Sequence, residues 1–337
     1  MDLFSTNVLT GAINSLITPS QFLLSRYFGM IQTEDSEEIH FDVIDKTRRL
    51  APFVSPVVAG KLVESQGHTT KTFKPAYLKP KGVFDSSRPF KRAAGEQLGG
   101  VLSPLQRQGR LINQDLTDHS EQIDRRLEVM AAEALRTGAV TVTGTDYPTQ
   151  NVNFGRKVTL SVTLAGAALW SDAGVDPLDD LQDWSQIALQ ESGAMLRDLI
   201  MTVDVWKVFR KKQSVKDQLD RNRGNSTLVT DAQIAEGGVY MGQVEGFNIF
   251  VYAGWYLDDA GTEQPILPAG TVLLAGAQIE GVQAFGAIKD EEAGFQAIPK
   301  YSKSWVEKDP SVRYLLTQSA PLVVPTRVNA SFAATVL

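Results

Sequence analysis

The sequence predicts an α+β fold in which a long helix lies on a sheet and a second, mixed α/β unit is inserted between the strands of that sheet. Three observations predict it. Residues 103–138 form one long amphipathic segment, β-branched runs occur in both halves of the chain, and helix and strand patterns alternate between those runs. At 337 residues, the chain is long enough for about two domains with ample core.

The first predicted element is a helix over residues 5–18. Apolar side chains recur there at helical spacing, Ser5 or Thr6 is available as a cap, and Pro19 ends the helix. An apolar, partly aromatic cluster over residues 22–28 follows, and then an acidic stretch. This order is typical of an arm that docks on a neighbour, although the first helix of an ordinary core gives the same pattern.

Residues 50–82 are predicted to form a long hairpin. Runs over 57–64 and 70–78 are separated by a polar turn at 65–68. Prolines punctuate both runs and cannot donate to a strand ladder, so we expect free edges. The hairpin is also basic, with five lysines against Glu64 alone. Because it has too little core to fold alone, we expect it to lie on a partner surface, on another subunit.

A long helix is the clearest prediction. Ser103 supplies a cap, Pro104 occupies the first helical position, and the pattern ends before Gly138. Such a helix spans roughly 50 Å. His119 and Ser120 interrupt its apolar seam, which favours a helix lying on a sheet over a coiled coil. The predicted buried stripe is Leu105, Ile112, Leu116, Ile123, Leu127, Met130, Ala134 and Leu135, with Arg110, Asp115, Glu121, Arg125 and Glu128 off it.

Strand patterns in both halves of the chain predict one shared sheet. Its candidate strands are residues 140–143, 158–164, 312–316 and 322–324, with Val306 in another. The segment between these two sets would then be an inserted domain. Its predicted elements are a helix opened by Asp176 and Pro177, strands at 199–203, 247–252 and 271–275, and a helix over 205–212 capped by Asp204.

The sequence gives no support for an enzyme, a cofactor or a metal site. The chain has no cysteine, its three histidines lie far apart, and it has no nucleophile motif. The glycines at 95, 99 and 100 lack the lysine of a phosphate loop. The run 258–263 fails the calcium-loop spacing and favours a hairpin turn. The carboxylates at 176–180 occupy the first turn of a helix, where the helix dipole favours them.

Composition sets further bounds. The net charge of −6 argues against a dedicated nucleic-acid binder. The N-terminal residues lack a signal peptide's basic region, and no apolar run reaches the roughly 18 residues of a membrane span, so we expect no membrane partner. The absence of cysteine favours assembly in a reducing cytoplasm.

One basic concentration lies between residues 207 and 223. It could touch a phosphate backbone by charge neutralisation. Pairing between subunits or a solvated face is the favoured interpretation, because Asp217 and Asp220 are interleaved with it. Its members are Lys207, Arg210, Lys211, Lys212, Lys216, Arg221 and Arg223.

Five short motifs, in order over nearly the whole length, closely resemble those of lambda-like tailed-phage major capsid proteins, the phage major capsid protein E family. Residues 145–174 match that family poorly. The motifs are Phe22-Leu23-Leu24 with Tyr27-Phe28; V-S-P-V-V-A-G with the Gly67 turn and Phe73, Pro75, Tyr77, Lys79, Pro80 and Lys81; K-D-Q-L-D at 216–220 with Arg223-Gly224; Leu267-Pro268; and Q-S-A-P at 318–321.

The resemblance implies the Hong Kong 97 capsid fold. Its parts would be an N-terminal arm (1–49), an extended loop (50–82), a peripheral domain with the long helix (83–172 and 280–337) and an inserted axial domain (173–279). It implies the major head protein of a tailed double-stranded DNA bacteriophage, assembled in the host bacterial cytoplasm into pentamers and hexamers of an icosahedral shell. The implied partners are copies of itself, a separate scaffolding protein, a portal, a decoration protein at the threefold axes, and DNA held by non-specific contact.

Fourteen residues are candidates for contacts between subunits. The candidates are Phe22, Tyr27, Phe28, Glu37, Glu38, Lys61, Lys71, Phe73, Lys74, Tyr77, Lys79, Lys81, Arg221 and Arg223.

The rival hypothesis is a cytosolic α/β enzyme or sugar-binding protein in which the hairpin is a lid over a pocket.

Three further expectations concern assembly. About fifty residues precede the loop, fewer than usually make a core, so we expect scaffolding by a separate protein. Without cysteine, and with decoration proteins in the relatives it resembles, we expect a shell held non-covalently. Residues 34–45 carry six carboxylates and no basic residue, so we expect them to meet the basic loop across subunits. Simple solvation of both segments is the alternative.

Overall fold

A computed structural model describes residues 5–16, 21–44, 68–85, 87–91, 102–144, 147–222, 237–258, 260–309 and 312–337, with scattered positions between 50 and 62. Its helices are α1 Thr6–Ser15, α2 Phe22–Tyr27, α3 Pro104–Thr137, α4 Pro177–Ser192, α5 Val203–Phe209 and α6 Gln213–Asn222. Its first nine strands are β1 Met30–Glu34, β2 Ile39–Ile44, β3 His68–Phe73, β4 Lys81–Asp85, β5 Ala139–Gly144, β6 Tyr147–Asn153, β7 Ser161–Thr163, β8 Asp198–Thr202 and β9 Gly238–Val244. The others are β10 Phe247–Tyr252, β11 Trp255–Leu257, β12 Glu263–Pro265, β13 Thr271–Ala275, β14 Gly281–Gly286, β15 Tyr301–Glu307, β16 Val312–Gln318, β17 Pro321–Pro325 and β18 Phe332–Thr335.

The largest sheet has six strands in the order β7-β18-β13-β8-β10-β9. Every residue of β8 and of β13 is buried, as expected for central strands covered on both faces. A stack of Trp170, Trp184 and Phe332 packs beside it, with ring centroids 5.8 and 5.3 Å apart. The strands predicted at 199–203, 247–252 and 271–275 are therefore confirmed, and they share one sheet with β7 and β18 from outside the predicted insert.

Two three-stranded sheets combine distant parts of the chain. One has the order β1-β14-β17, and α3 packs against β17. The other has the order β15-β16-β4, and α1 and the first half of α3 cover one face of it. Phe84, Leu315, Leu9 and Ile13 are buried in that second contact. A long helix lying on a sheet is thus confirmed.

The ends of α3 lie where the sequence predicts them. Ser103 accepts a hydrogen bond from the Gln106 amide, and the Gln106 side chain accepts one from the Ser103 amide, which forms a capping box. Gly138 ends the helix at φ +69°. Two assignments on its surface were wrong: Leu105, placed in the buried stripe, is 70% exposed, and Glu128, placed on the polar face, is fully buried.

The predicted hairpin is paired differently from expectation. Strand β3 pairs antiparallel with β2 of the predicted arm, with Ile39 opposite Phe73 and Phe41 opposite Lys71. Of the first predicted run, 57–64, the described positions are not in strands, and the rest lies outside the described residues. The hairpin of 57–64 with 70–78 is therefore corrected: the second run finds its partner in the arm.

Other local predictions differ in detail. Among the described strands, β5 (residues 140–143) pairs only with β6, and residues 158–164 supply β7 at the edge of the six-stranded sheet. Residues 312–316 and 322–324 lie in two different three-stranded sheets, so the prediction of one shared sheet is wrong. The cap of α5 is Thr202; Asp204 lies in its first turn and accepts a hydrogen bond from the Gly270 amide at 2.7 Å. Among the described helices, none is long and apolar enough to cross a membrane.

Candidate assembly surfaces

The aromatic residues of the predicted arm face the subunit's own core. Phe22, Tyr27 and Phe28 are at most 4% exposed. The Phe22 ring lies 5.2 Å from that of Phe250, and a Cβ at Gly238 would lie 2.5 Å from it. These three candidates are thus covered within the subunit and stabilise the arm on the six-stranded sheet.

An ion pair fixes the same helix to β8. The Arg26 guanidinium donates to both carboxylate oxygens of Asp198, at 2.7 and 3.0 Å, and lies 4.5 Å from the Phe250 ring centroid. The Tyr27 hydroxyl donates to Asp198 at 2.9 Å. Burial and the negative charge of Asp198 raise the pKa of Tyr27 well above its usual value. The phenol therefore stays protonated and keeps donating.

A buried carboxylate of α3 holds the other end of α2. Glu128 accepts from the backbone amides of Leu23 and Leu24 and from the Tyr252 hydroxyl, each at 2.8 Å. Helix N-termini leave amides without intrahelical partners, and Glu128 supplies acceptors to two of them. No sequence pattern marks Glu128 as a buried acceptor, because it occurs among other charged residues on the helix.

The acidic and basic segments meet within one subunit. Glu37 accepts from Lys74 beside β3, and from Lys289 after β14 at 2.5 Å. These two lysines, Lys289 first, lower the pKa of Glu37 to about 2. Glu37 and Lys74 thus meet within one subunit, and the expectation that arm and loop charges also meet across subunits stays a prediction. Glu38 is exposed beside them.

The remaining described loop candidates also contact their own subunit. Lys71 donates to the Asn153 carbonyl at 2.6 Å, and the Tyr77 hydroxyl donates to the Ala287 carbonyl at 2.6 Å. Phe73 is buried in the main core. The Lys79 ammonium lies 5.1 Å from the Tyr77 ring centroid, and the Lys81 ammonium 4.0 Å from that of Tyr314. The base of the predicted loop is thus held firmly.

Three candidates cannot be placed. Lys61 and Arg223 lie outside the described residues, as does the side chain of Arg221 at the end of α6. In the same basic concentration, Lys212 donates to the carbonyls of Asp172 and Val175, at 2.5 and 2.8 Å. Lys212 is therefore engaged in the fold itself.

The residues considered as possible metal-binding or catalytic groups make hydrogen bonds within the fold. Asp258 accepts from the amides of Ala260 and Thr262 in the predicted hairpin turn between β11 and β12. His119 is buried, and its Nδ1 lies 3.1 Å from the Thr317 hydroxyl. Across the described ranges, no group of three or more His, Cys, Asp or Glu side chains is placed to hold a metal ion.

Two half-open cavities lie beside α3, and no sequence pattern predicted them. One, of about 410 Å³, lies between α3, residues 76–80 and the β5–β6 hairpin. The other, of about 630 Å³, lies between α3 and the β11–β12 hairpin. Both are lined by Gln122 and Arg126, so they adjoin on the helix. No local sequence signal marks them, because their walls come from segments that lie far apart in the chain.

The subunit has an arm and a loop base that are both held on a core in which a long helix lies on a sheet. This arrangement agrees with a structural subunit of the Hong Kong 97 capsid class. The family model for phage major capsid protein E matches residues 5–336. The chain belongs to this family.

Individual relatives agree. The major capsid protein of Escherichia phage lambda is 29% identical over 330 residues, covering 96% of both chains. The major capsid protein of Enterobacteria phage phi80 is 29% identical over 332 residues, with the same coverage. A crystal structure described as a prophage capsid protein of E. coli CFT073 is 24% identical, covers 98% of this chain and 99% of that one, and has a TM-score of 0.77. The capsid of Ralstonia phage GP4 has a TM-score of 0.56 at 13% identity, with 95% and 92% coverage.

The chain is therefore a major capsid protein of tailed phages, a structural protein of the virion capsid that assembles with copies of itself into a shell. The resemblance drawn from five motifs is confirmed. The rival hypothesis of a cytosolic enzyme or sugar-binding protein with a lid is wrong.

Proposed function

We propose that this chain forms pentamers and hexamers that close into an icosahedral shell around a double-stranded DNA genome. The observation that carries the proposal is the family match, which runs through nearly the whole chain. The predicted arm, loop, peripheral and axial parts (1–49; 50–82; 83–172 with 280–337; 173–279) remain our proposed division. The continuous six-stranded sheet joins the last two closely.

Rings of one protein need contacts in which a patch on one copy meets a different patch on the next. A chain with a projecting loop suits such contacts, because each copy can reach over its neighbour and add many weak contacts. The contacts of Tyr77, Lys79 and Lys81 support this function, since they anchor the base from which the loop starts. Lys61 and the other residues beyond that base are the part of the loop that we expect to reach a neighbouring subunit.

We extend the proposal to partners. A separate scaffolding protein and a portal would direct closure of the shell, and assembly would take place in the host cytoplasm. A decoration protein at the threefold axes would add a strand to the two-stranded β2–β3 sheet, whose outer edges are unpaired among the described strands. Contact with DNA would be non-specific, through scattered cations such as Lys207 and Arg210.

Negative-stain microscopy tests the proposal. The chain is expressed with the phage's scaffolding and portal proteins, and the particles are purified by sedimentation. We expect closed shells with five- and six-fold capsomers. Compact particles of one to four subunits would refute shell formation, and regular closed shells formed efficiently by the chain alone would refute the separate scaffold.

A further inference from the structure

The two cavities beside α3 form one cationic groove, here called the spine groove. Gln122 and Arg126 are four residues apart on the helix, so they lie on one face and form the ridge between the cavities. Lys79 lines the first cavity, Arg125 lines the second, and Arg126 lines both. The lining residues described for either cavity include no Asp or Glu.

The charges of the spine groove are available to a partner. Arg126 is exposed, and no hydrogen bond or ion pair joins Arg125 or Arg126 to another described residue. Aromatic side chains add stacking surface, including that of Trp255, which is 56% exposed. The groove therefore fits a segment that carries both carboxylates and an aromatic ring.

Such a segment exists on the same chain. The turn at residues 290–296, here called the acidic turn, exposes Glu291, Glu292 and Phe295. The Phe295 ring is on the outside at 60% exposure, and its backbone is held at φ +57°, a conformation that bulky residues rarely adopt. Such strain persists only where the surrounding structure fixes it, and it often marks a functional position.

The acidic turn is fixed to its own subunit by hydrogen bonds and an ion pair. Asp290 accepts from the Glu292 amide at 3.1 Å within the turn, and from Lys303 and Gln318 on the adjoining sheet. The Ala297 amide donates to Asp35 at 2.6 Å. These contacts fix the position of the turn while Glu291 and Phe295 stay exposed, so the turn can present both side chains to the groove of a neighbouring copy.

We propose that the acidic turn of one copy docks in the spine groove of the next, with Phe295 against the aromatic wall and Glu291 and Glu292 facing Arg125 and Arg126. The two patches differ, so the contact is of the head-to-tail kind that builds rings and shells. The groove is half enclosed and takes side chains, whereas a DNA duplex is too wide to enter it. This inference rests on the proposed shell of identical copies.

Charge reversal tests the pairing in the full chain expressed with its assembly partners. The turn variant is Glu291→Arg with Glu292→Arg, the groove variant is Arg125→Glu with Arg126→Glu, and the third variant combines all four. Like charges facing each other oppose association. We expect each double variant to lower the yield of sedimenting shells about tenfold, and the combined variant to recover at least about half of the wild-type yield.

The matched control is Lys91→Glu with Arg110→Glu, which makes the same charge change at exposed positions outside the groove and should leave the yield near wild type. Circular dichroism of unassembled subunits checks that every variant folds. A combined variant no better than the groove variant overturns the proposal. The proposal is also overturned if the groove variant forms shells in normal yield. The same holds if the turn variant does. Failure of the wild-type chain to form shells would instead refute the proposed function.

A crosslinking experiment locates the contact directly. Phe295 is replaced by a photoreactive phenylalanine analogue in the wild-type background, and purified shells are irradiated. Mass spectrometry should find the crosslink on a peptide containing residues 122–130 or 252–257 of another copy. Crosslinks concentrated elsewhere, or only within one subunit, would show that the acidic turn has a different partner.

Discussion

At the scale of single residues, Glu128 is the side chain on which the attachment of the predicted arm most depends. It is fully buried and accepts hydrogen bonds from two amides of α2 and from the Tyr252 hydroxyl. Removing one partner of a buried network leaves the other groups without acceptors, which costs far more than the network contributes to stability.

We therefore expect Glu128→Ala to lower the free energy of unfolding by about 3–5 kcal/mol. Urea unfolding of the unassembled subunit measures it. Glu121→Ala, on the same helix, should change stability by no more than about 0.5 kcal/mol. Similar losses in the two variants would mean that the Glu128 contacts contribute nothing specific.

Glu37 makes one contact between arm and loop sensitive to pH. Its pKa is about 2 in the folded subunit against an ordinary value of 4.5, because Lys289 and Lys74 favour the carboxylate. A lowered pKa means that the charged group stabilises the fold above the unfolded value and that this contribution is lost as pH falls through the folded value.

The stability difference between wild type and Glu37→Gln should therefore be present at pH 7, narrow between about pH 4.5 and 2, and vanish below that. Urea midpoints measured across this range provide the check. Glu38→Gln, at the neighbouring exposed position, should leave the profile unchanged. A Glu37 difference that persists undiminished at pH 2 would contradict the ion pair.

At the scale of elements, the ends of α3 were predictable and its surroundings were not. The cap at Ser103 and the stop at Gly138 are local signals within a few residues of each end. The pairing of β3 with β2 joins two segments about thirty residues apart, whereas the sequence pattern favoured a partner much nearer along the chain. Register over such distances is set by tertiary packing that a single sequence does not display.

The same reasoning explains the candidate surfaces. Aromatic residues such as Phe22 and Tyr27 carry the same sequence pattern whether they fill a neighbour's groove or their own core. Only the six-stranded sheet, which contains Phe250 from the distant β10, shows that they pack within the subunit. Family motifs therefore identified the protein correctly, whereas the assignment of their individual residues to contacts between copies stays a prediction.

The C-terminal stop of α3 gives a test at this scale. Gly138 lies at φ +69°, and an added Cβ would collide with the side chain of Arg156. The Arg156 guanidinium in turn donates to the Leu135 carbonyl at 2.6 Å and the Ser331 carbonyl at 3.0 Å. Backbone strain and the collision act together, so Gly138→Ala should destabilise the subunit by about 2–4 kcal/mol.

Gly11 is the matched control. It lies inside α1, and an added Cβ would meet no atom within 4 Å. Alanine restricts the unfolded chain and favours the helix, so Gly11→Ala should stabilise the subunit by about 0.5–1 kcal/mol. Thermal unfolding of both variants gives the comparison; equal effects would contradict the distinct roles of the two glycines.

At the scale of the whole molecule, stability within the subunit and stability of the shell have different sources. Among the described residues, the six-stranded sheet, one three-stranded sheet and part of the 34-residue helix share one large core, and the other three-stranded sheet packs on the helix in a smaller core. The shell must instead rely on surfaces repeated in every copy, where contacts that are individually weak become strong by multiplicity. The described residues with large exposed apolar side chains, such as Phe90 and Trp255, are surfaces that suit this role.

The last prediction concerns how those surfaces are held together in the mature particle. The chain has no cysteine, so disulfides cannot link its copies. Lys71, a candidate amine in the loop, donates to the backbone carbonyl of Asn153 in its own subunit, which occupies it within one copy. We therefore expect mature particles boiled in SDS to release monomers of the single-chain mass. A ladder of dimers, trimers and larger species that resists boiling would show covalent bonds between copies. Mass spectrometry of digested bands would then identify the linked residues.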